Sequence, residues 1–351
     1  MASEKLVLII GAGASKEFNL PTGWELKNQI SQFLDVKIDS YGKPIKGNAN
    51  ALRHINHLIK SSDLALNTSK FSYYKAAKLI SENMAITPSI DNFLHTHKEN
   101  IFVGDLGKLA IAQLIIKGES ESHLFYGNAS HEKQINFSSV AQTWLGRLFT
   151  ILATEKDYKS FGESLKRIKF ISFNYDRCIQ QFFWCAIRSY FDKPMDEVEE
   201  LVSNLDIDYV YGSVGKFEIN SNGVSTYGDE NSVLAATKSI KTFTEGSAPE
   251  FRLGIKGALD GAKAVVFLGF GFLQLNLEVL FGEESFEVGK VLGTGKGLPP
   301  FTTEDVKLYL QAHLLKRKRE THSYSFDFPE IHISDHTCTE FINAFERIFK
   351  Q

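Results

Sequence analysis

The chain of 351 residues is poor in cysteine, and its cysteines cannot build a zinc ribbon. Cys178, Cys185 and Cys338 form no Cys-x-x-Cys pair, which is the spacing that structural zinc sites use. A small and odd number of cysteines is typical of buried thiols in a reducing compartment. We therefore expect a cytoplasmic protein with no metal site.

Long apolar runs and an excess of one charge are also missing. No run approaches the about 18 apolar residues of a membrane span, and the start of the chain lacks the basic and apolar regions of a signal peptide. Lys and Arg number 39 against 42 Asp and Glu, which gives a net charge of −3. The dense basic cluster at 316–319 is interpreted as the solvated end of a helix. These features predict no membrane contact and no direct nucleic-acid binding.

Two standard nucleotide-binding fingerprints are absent, although a glycine-rich turn lies near the start. Gly11-Ala12-Gly13-Ala14-Ser15 follows the apolar run 6–10, but Lys16 stands where a dinucleotide fingerprint has its third glycine. No Gly-Lys-Ser/Thr follows, so the turn is not a P-loop. A strand that feeds such a turn at a helix start can still hold a phosphate on backbone N–H groups. The alternative is a tight strand-to-helix turn without a ligand.

Short apolar strands alternate with helical segments along most of the chain. This pattern predicts an α/β fold, with a Rossmann-like, mostly parallel sheet and helices on both faces. The predicted strands are 5–10, 168–173, 207–211, 264–268 and 331–334. The predicted helices outside the central block are 24–34, 176–191, 252–260, 276–281, 304–316 and 339–349. Residues 51–166 are mostly helical apart from a polar loop at 118–136, so we expect a helical insertion subdomain there and a Rossmann-like domain of residues 1–50 and 167–351.

Polar or glycine-rich motifs follow each predicted strand. They are Gly11 to Ser15, Asn174-Tyr175-Asp176, Tyr211 to Gly215, Gly269-Phe270-Gly271, and Ser334 to Thr337. The carboxyl ends of parallel strands meet at one edge of a sheet, and ligands of such sheets bind there. The sequence therefore predicts a nucleotide cleft at this edge.

This ordered set of motifs resembles the sirtuin-like superfamily. The first turn with Pro21 is similar to the family's GAGxS loop, Asn174-Tyr175-Asp176 to its Asn-x-Asp motif, and the segment from Gly269 to Asn276 to its adenosine-binding segment. The deacylases of that superfamily carry a four-cysteine zinc ribbon, which this chain cannot build. Its helical block resembles instead the bacterial branch that hydrolyses NAD during phage infection. LPTGWEL (20–26) and SIDNFL (89–94) also resemble that branch.

The resemblance implies roles for individual residues. Gly11, Ala12, Gly13 and Ser15 would hold the pyrophosphate, and Asn174 would bind the ribose hydroxyls or position a water. Asp176 would anchor a loop or bind the nicotinamide side. A turn-forming Asn174 and a helix-capping Asp176 are the structural alternatives. The remaining implied NAD contacts are Pro21, Thr22, Gly212, Ser213, Gly269, Gly271 and Asn276, with Asp335, His336 and Thr337 near the adenine.

One position departs from the resemblance, because Tyr211 stands where the family has its catalytic histidine. A shift of two places gives Tyr209, again a phenol, whose pKa near 10 makes a poor base at pH 7. Three alternatives stay open: the site binds NAD without cleaving it, another histidine acts as base, or hydrolysis needs little base. The candidate histidines are His54, His57, His95, His97 and His336.

Our interpretation is an NAD hydrolase of bacterial anti-phage defence, which would deplete NAD in abortive infection. The resemblance further implies a homo-oligomer and a partner such as a hexameric DNA-translocase-type ATPase. The alternative is a catalytically silent module that binds NAD or ADP-ribose and regulates such a partner. Asp91 either reaches the cleft from the helical block or lies at a solvated helix start capped by Ser89.

Overall fold

The computed structural model describes residues 5–126, 135–246, 249–319 and 324–350. The strands in these residues are β1 (Leu6–Ile10), β2 (Lys37–Ile38), β3 (Pro44–Lys46), β4 (Ile168–Ser172), β5 (Ile207–Tyr209), β6 (Ala264–Leu268), β7 (Phe286–Glu287), β8 (Lys290–Thr294), β9 (Leu314–Arg319), β10 (Tyr324–Asp327) and β11 (Glu330–Ser334).

The α-helices of the first half are α1 (Ala12–Lys16), α2 (Gly23–Phe33), α3 (Ala49–Ser61), α4 (Leu66–Asn83), α5 (Ile90–Thr96), α6 (Ile101–Ser120), α7 (Phe137–Val140), α8 (Trp144–Ala153) and α9 (Tyr158–Leu165). Those of the second half are α10 (Cys178–Phe191), α11 (Met195–Ser203), α12 (Val233–Thr237), α13 (Phe243–Gly246), α14 (Pro249–Leu259), α15 (Gln274–Leu280), α16 (Pro300–His313), α17 (Cys338–Ala344) and α18 (Glu346–Phe349). In the described ranges, no helix has the length and apolar character needed to span a bilayer.

Six parallel strands form the central sheet, in the spatial order β5-β4-β1-β6-β8-β11. The middle strand β1 pairs with β4 on one side and β6 on the other, so that Leu6 lies between Ile168 and Ala264. Counted within this sheet alone, the order is 3-2-1-4-5-6, which is that of the Rossmann fold. Along the chain, β4 and then β5 are added on one side of β1, and β6, β8 and β11 are added on the other side. The strand order therefore reverses between β1 and β6.

Both faces of the sheet are covered by helices, because successive side chains of each strand point to opposite faces. Val7 and Ile9 belong to one core with buried residues of α2, α4, α6 and α14. Leu6, Leu8 and Ile10 belong to the other core with buried residues of α8, α10 and α17. The predicted α/β class, with a parallel Rossmann-like sheet between two helical layers, is confirmed.

The predicted helical block contains α3 to α9 in its described part. Its helices α4 and α6 pack on the Val7 face of the sheet, and α8 and α9 pack on the Leu6 face. Of the predicted polar loop 118–136, residues 118–120 belong to α6, and 127–134 lie outside the described residues. The block thus shares both cores with the sheet.

Two predictions near the C-terminal end were wrong. The helix expected at 304–316 ends at His313, where the chain turns into β9. The basic cluster at 316–319 is therefore part of a strand rather than a helix end, and it pairs with β10. The central strand β8 was not predicted, because Gly293 interrupts its short apolar run.

Candidate functional site

A cleft of about 400 Å³ lies at the carboxyl ends of β1, β4 and β6, beside the reversal of strand order. Its walls come from the loops after these strands, from the start of α2 and from the start of α5. The residues predicted from sequence that line it are Gly11, Ala12, Gly13, Pro21, Thr22, Asn174, Asp176, Tyr211, Gly269, Gly271 and Asn276. Asp91 also lines it. The volume lies within the about 300–1,000 Å³ of small-molecule sites.

The glycines after β1 and β6 allow two loops to touch. A Cβ atom on Gly11 would lie 2.5 Å from the Gly269 carbonyl oxygen, and one on Gly269 would lie 2.1 Å from the Ala14 nitrogen. Gly269 also has φ of +59°, which glycine adopts without strain. The N–H of Gly13 donates to the Gly269 carbonyl at 3.0 Å, and that of Ala14 donates to the Gly11 carbonyl at 2.9 Å. These N–H groups are thus engaged within the protein, and loop packing explains the glycines.

Asn174 is the polar centre of the cleft floor. Its side chain is 6% exposed, and Nδ2 donates to the Gly11 carbonyl at 3.0 Å and to Ser15 Oγ at 2.8 Å. A carbonyl oxygen can only accept, so this bond fixes which end of the amide carries nitrogen. Among the described residues no donor reaches Oδ1. Ser15 does not line the cleft but holds the amide of Asn174, whose Oδ1 remains for a ligand.

Tyr211 belongs to an aromatic wall of the cleft. Its hydroxyl donates to Asn276 Oδ1 at 2.9 Å, and its ring centroid lies 6.3 Å from that of Tyr175. Burial, and secondly the charge of Asp91, raise the pKa of the Tyr211 phenol well above its ordinary value. The phenol therefore stays protonated at neutral pH and donates a hydrogen bond, so it cannot act as a base there.

Asp91 brings a carboxyl group into the cleft from the helical block. It is the second residue of α5, whose N-cap Ser89 accepts a hydrogen bond from the Asn92 N–H at 3.1 Å. The hydroxyl of Tyr175 donates to Asp91 Oδ1. Burial raises the pKa of Asp91 to about 6, against the lowering effect of that hydrogen bond. Asp91 thus reaches the cleft from the helical block. Its helix start is capped by Ser89 as expected, but this start is a partly buried cleft wall and not a solvated end.

Asp176 lines the cleft at the start of α10. Its Oδ1 accepts the N–H of Cys178 at 3.1 Å. The N-cap of α10 is Arg177, so Asp176 lies one residue before the cap position that the sequence interpretation assigned to it. The next residue, Arg177, forms an ion pair of 2.5 Å with Glu119 of α6, and both side chains are fully buried. Glu119 also accepts the N–H groups of Arg177 and Gly228, each at 2.9 Å. This network fixes the loop after β4 against the helical block.

Several predicted site residues lie outside the cleft. The hydroxyl of Tyr209 donates to Gln180 Oε1 at 2.6 Å, and Ser213 Oγ donates to the Gly215 carbonyl at 3.0 Å. Gly212 follows the end of β5 and forms an isolated bridge with Ile240. His336 lies after β11, beside Asp335, which accepts the Gly297 N–H at 2.9 Å. None of these four predicted residues lines the cleft.

The other candidate histidines are also placed elsewhere. His54 is bonded to Gln113 at 2.9 Å, and His57 is exposed on α3. His95 packs against Phe243 and His97 against Phe93, with ring centroids 4.6 and 4.4 Å apart. Among the described residues that line the cleft, none is a histidine, lysine or arginine. The described part of the chain also has no group of three or more possible metal ligands.

Trp24 is a cleft residue that the motif analysis did not single out. It is 68% exposed and stands at the rim, in the first turn of α2. Thr22 and Glu25 fix this turn by a capping box, in which the Glu25 N–H donates to Thr22 Oγ1 at 3.3 Å and Glu25 Oε2 accepts the Thr22 N–H at 2.8 Å. The Thr-Gly-Trp-Glu sequence was the available signal, because it is a capping box that places an aromatic ring at a helix start.

A second cavity, of about 490 Å³, lies beyond Pro21 between α2 and α6. Its lysines are paired, Lys16 with Glu25 at 2.5 Å and Lys117 with Glu121 at 3.4 Å. Of the predicted site residues, Pro21 alone lines it. We therefore place the candidate site in the first cleft.

Fold and site together define a Rossmann-like α/β protein with a carboxylate-bearing cleft at its topological switch point. In comparisons with known proteins, no family model and no curated protein matches the chain.

Proposed function

We propose that the protein hydrolyses NAD at the bond between nicotinamide and ribose. The observation that carries this proposal is the convergence of three loops, those of Gly11, Asn174 and Gly269, on one cleft where the strand order reverses. That is the position at which doubly wound sheets bind dinucleotides. The motifs in these loops are those that resemble the sirtuin-like superfamily.

The charges of the cleft support a reaction that develops positive charge. Its described lining residues include the carboxyl groups of Asp91 and Asp176 and no cationic side chain. Loss of nicotinamide leaves an oxocarbenium-like ribose, and fixed negative charge stabilises such a cation in a partly dehydrated site. Asn174 Oδ1 would accept a ribose hydroxyl, and Trp24 would cover an aromatic ring of the dinucleotide at the rim.

The biological setting follows from the resemblance. We propose a cytoplasmic enzyme of bacterial anti-phage defence that depletes NAD in abortive infection. It would act as a homo-oligomer, beside a partner such as a hexameric DNA-translocase-type ATPase.

Release of nicotinamide from NAD tests the proposed reaction. We expect the purified chain to release nicotinamide, and Asn174→Ala to lower the rate at least about 100-fold because it removes a group placed on the reacting ribose. Asn204→Ala is the matched control, because Asn204 is an exposed asparagine whose Nδ2 donates to the Glu200 carbonyl at the end of α11. Chromatography of the products against time gives the rates. An Asn174→Ala variant as active as the control would contradict the proposal.

A silent binding module is the second candidate, and the tyrosine at position 211 favours it. The phenol is protonated and bonded to Asn276, and no described histidine lines the cleft to replace it. Calorimetric titration with NAD and with ADP-ribose separates the two candidates. Binding of either ligand without any nicotinamide release would support the silent module.

A further inference from the structure

We infer that Asp91 is the catalytic general base of the proposed hydrolysis, and that Tyr175 is its positioning residue. The inference rests on the proposed function. The sequence motifs that support that function do not identify the general base, because a tyrosine stands in the place of the histidine. The assignment of Asp91 gives the helical block a chemical task, because the block supplies a reacting group that the sheet does not.

The position of Asp91 is fixed from two sides. The N-cap of its helix α5 is Ser89, which is 8% exposed and accepts the Asn92 N–H. From the sheet, the Tyr175 hydroxyl donates to Oδ1, and Tyr175 is the residue directly after Asn174. The carboxyl group and the Asn174 amide are thus tied to the same loop after β4. A base needs such a fixed position relative to the ribose that Asn174 would hold.

The other groups of the cleft are less suited to accept a proton. The phenols that face Asp91, those of Tyr175 and Tyr211, are both held protonated because burial raises their pKa values. Asp176 already accepts the Cys178 N–H, two residues before α10 begins. Asp91 has no cationic partner among the described residues, so its charge is not neutralised in the cleft.

The protonation state of Asp91 also suits the task. A pKa of about 6 leaves the carboxyl group mostly ionised at pH 7 and more basic than an ordinary aspartate. A base is most effective when its pKa lies near the working pH. Removal of the Tyr175 hydroxyl would raise the pKa further, because that hydrogen bond stabilises the ionised form.

The chemical step is balanced without any other reactant. The bond between the ribose carbon C1′ and the nicotinamide nitrogen breaks, and its electron pair leaves with neutral nicotinamide. A water oxygen forms a bond to C1′ while one water proton passes to the Asp91 carboxylate. ADP-ribose, nicotinamide and one proton, later released from Asp91 to solvent, are the products.

Asp91→Asn tests the assignment with the full chain and NAD. We expect kcat for nicotinamide release to fall by about 100-fold or more, with NAD binding retained in calorimetry. Asp105→Asn is the matched control, since Asp105 accepts the Tyr73 hydroxyl at 2.8 Å in the same helical block and does not line the cleft. Equal kcat values for Asp91→Asn and the unsubstituted chain would overturn the assignment.

The pH profile of the unsubstituted chain and of Tyr175→Phe provides a second readout, which does not depend on the folding of Asp91→Asn. We expect kcat to fall below about pH 6, and this acid limb to move to higher pH in Tyr175→Phe. An acid limb that stays at the same pH in the variant would overturn the positioning role of Tyr175. A profile flat through pH 5 would overturn the assignment of Asp91 as base.

The two proposals fail in different ways. Absence of nicotinamide release from the unsubstituted chain, under all conditions that support NAD binding, would remove the proposed function and this inference with it. Turnover by the unsubstituted chain together with an equal kcat for Asp91→Asn would remove the inference alone.

Discussion

The carboxyl group of Asp91 stands half-buried in a cleft wall, with a phenol as hydrogen-bond donor and no described cation beside it. Burial stabilises the protonated form by more than the hydrogen bond from the phenol stabilises the ionised form, so the group binds its proton more tightly in the folded chain than in the unfolded chain. Ionisation of Asp91 therefore lowers the free energy of unfolding. This effect depends on pH and can be measured without knowing the ligand.

The sign of this dependence follows from the two pKa values. Asp91 has an ordinary pKa of 3.8 when unfolded and about 6 when folded. Between these values the folded state holds more protons, so its contribution to the free energy of unfolding falls as pH rises from about 4 to 6. We expect Asp91→Asn, which cannot ionise, to be more stable than the unsubstituted chain by about 1–2 kcal/mol at pH 8, after allowance for partial exposure of the group.

Urea unfolding at pH 5 and pH 8 measures this difference. The stabilisation should shrink at pH 5, where Asp91 is mostly protonated and resembles asparagine. An Asp91→Asn variant that loses equal stability at both pH values would show that folding does not raise the pKa of Asp91, contrary to this expectation.

Single residues also mark how far sequence reasoning reaches into the site. Asn174 and Gly269 follow buried strands directly, so their place at the sheet edge could be predicted from the strands alone. Asp91 lies in a helical block far from any central strand in sequence, and only tertiary packing brings it to Tyr175. His336 follows a central strand too, but β11 is the edge strand, and its end lies away from the reversal of strand order.

At the scale of elements, the contact between the loops after β1 and β6 closes the floor of the cleft. Gly269 is the residue on which this contact depends most, because its Cβ would meet the backbone of Ala14 and its φ is positive. We expect Gly269→Ala to lower the free energy of unfolding by about 3 kcal/mol, from the sum of overpacking and backbone strain.

Gly271 offers the control within the same loop. A Cβ atom there meets nothing within 4 Å, so Gly271→Ala should change stability by less than about 0.5 kcal/mol. Denaturant unfolding of both variants gives the comparison. Equal losses would show that the loop adjusts to added volume and that the two glycine turns need no close contact.

The strands that could be predicted differ from the strand that was missed in whether their own residues form a continuous apolar run. Residues 264–268 are all apolar and buried, and that run gave the bounds of β6 without error. Gly293 lies inside β8 because a Cβ there would be 2.9 Å from Ile333 and 3.1 Å from Phe267 of the neighbouring strands. The sequence shows the glycine but not the side chains in the neighbouring strands that leave no room for a larger residue. The glycine was therefore interpreted as the end of an apolar run and not as part of a strand.

At the scale of the whole molecule, the ion pair of Arg177 and Glu119 joins the sheet to the helical block. Arg177 Nη2 donates to Glu119 at 2.5 Å and to the Thr226 carbonyl at 2.8 Å, so helix α6, the start of α10 and the segment around Thr226 meet at one point. All of the charge is buried and paired. The removal of one partner therefore leaves an uncompensated charge in the interior.

We expect Glu119→Ala to lower the free energy of unfolding by about 3–5 kcal/mol. Glu121→Ala is the matched control at the C-cap of the same helix, because Glu121 pairs with Lys117 at the surface, with side chains 60% and 54% exposed. An exposed pair of this kind contributes about 0.5 kcal/mol or less. Chemical denaturation measures both, and similar small losses would mean that water or a rearranged partner reaches Arg177.

The overall architecture was the part most accessible from sequence. Alternating apolar strands and helices indicated a covered parallel sheet, and the position of the motifs after the strands indicated the edge at which the candidate site was expected. That the helical block contributes to both cores could not be predicted from the sequence. An amphipathic pattern shows that a helix has a buried face, but not which surface of the sheet that face covers.

That sharing has a practical consequence for any attempt to reduce the protein to a minimal Rossmann-like unit. Excision of the long stretch between the first two central strands would strip Val7 and Ile9 on one side, and Leu6 and Leu8 on the other, of part of their cover. The remaining protein would expose two hydrophobic surfaces to water. Its cleft would also lose the wall that the helical block supplies. We therefore expect the shortened protein to be unstable, so structural or screening work has to use the intact polypeptide.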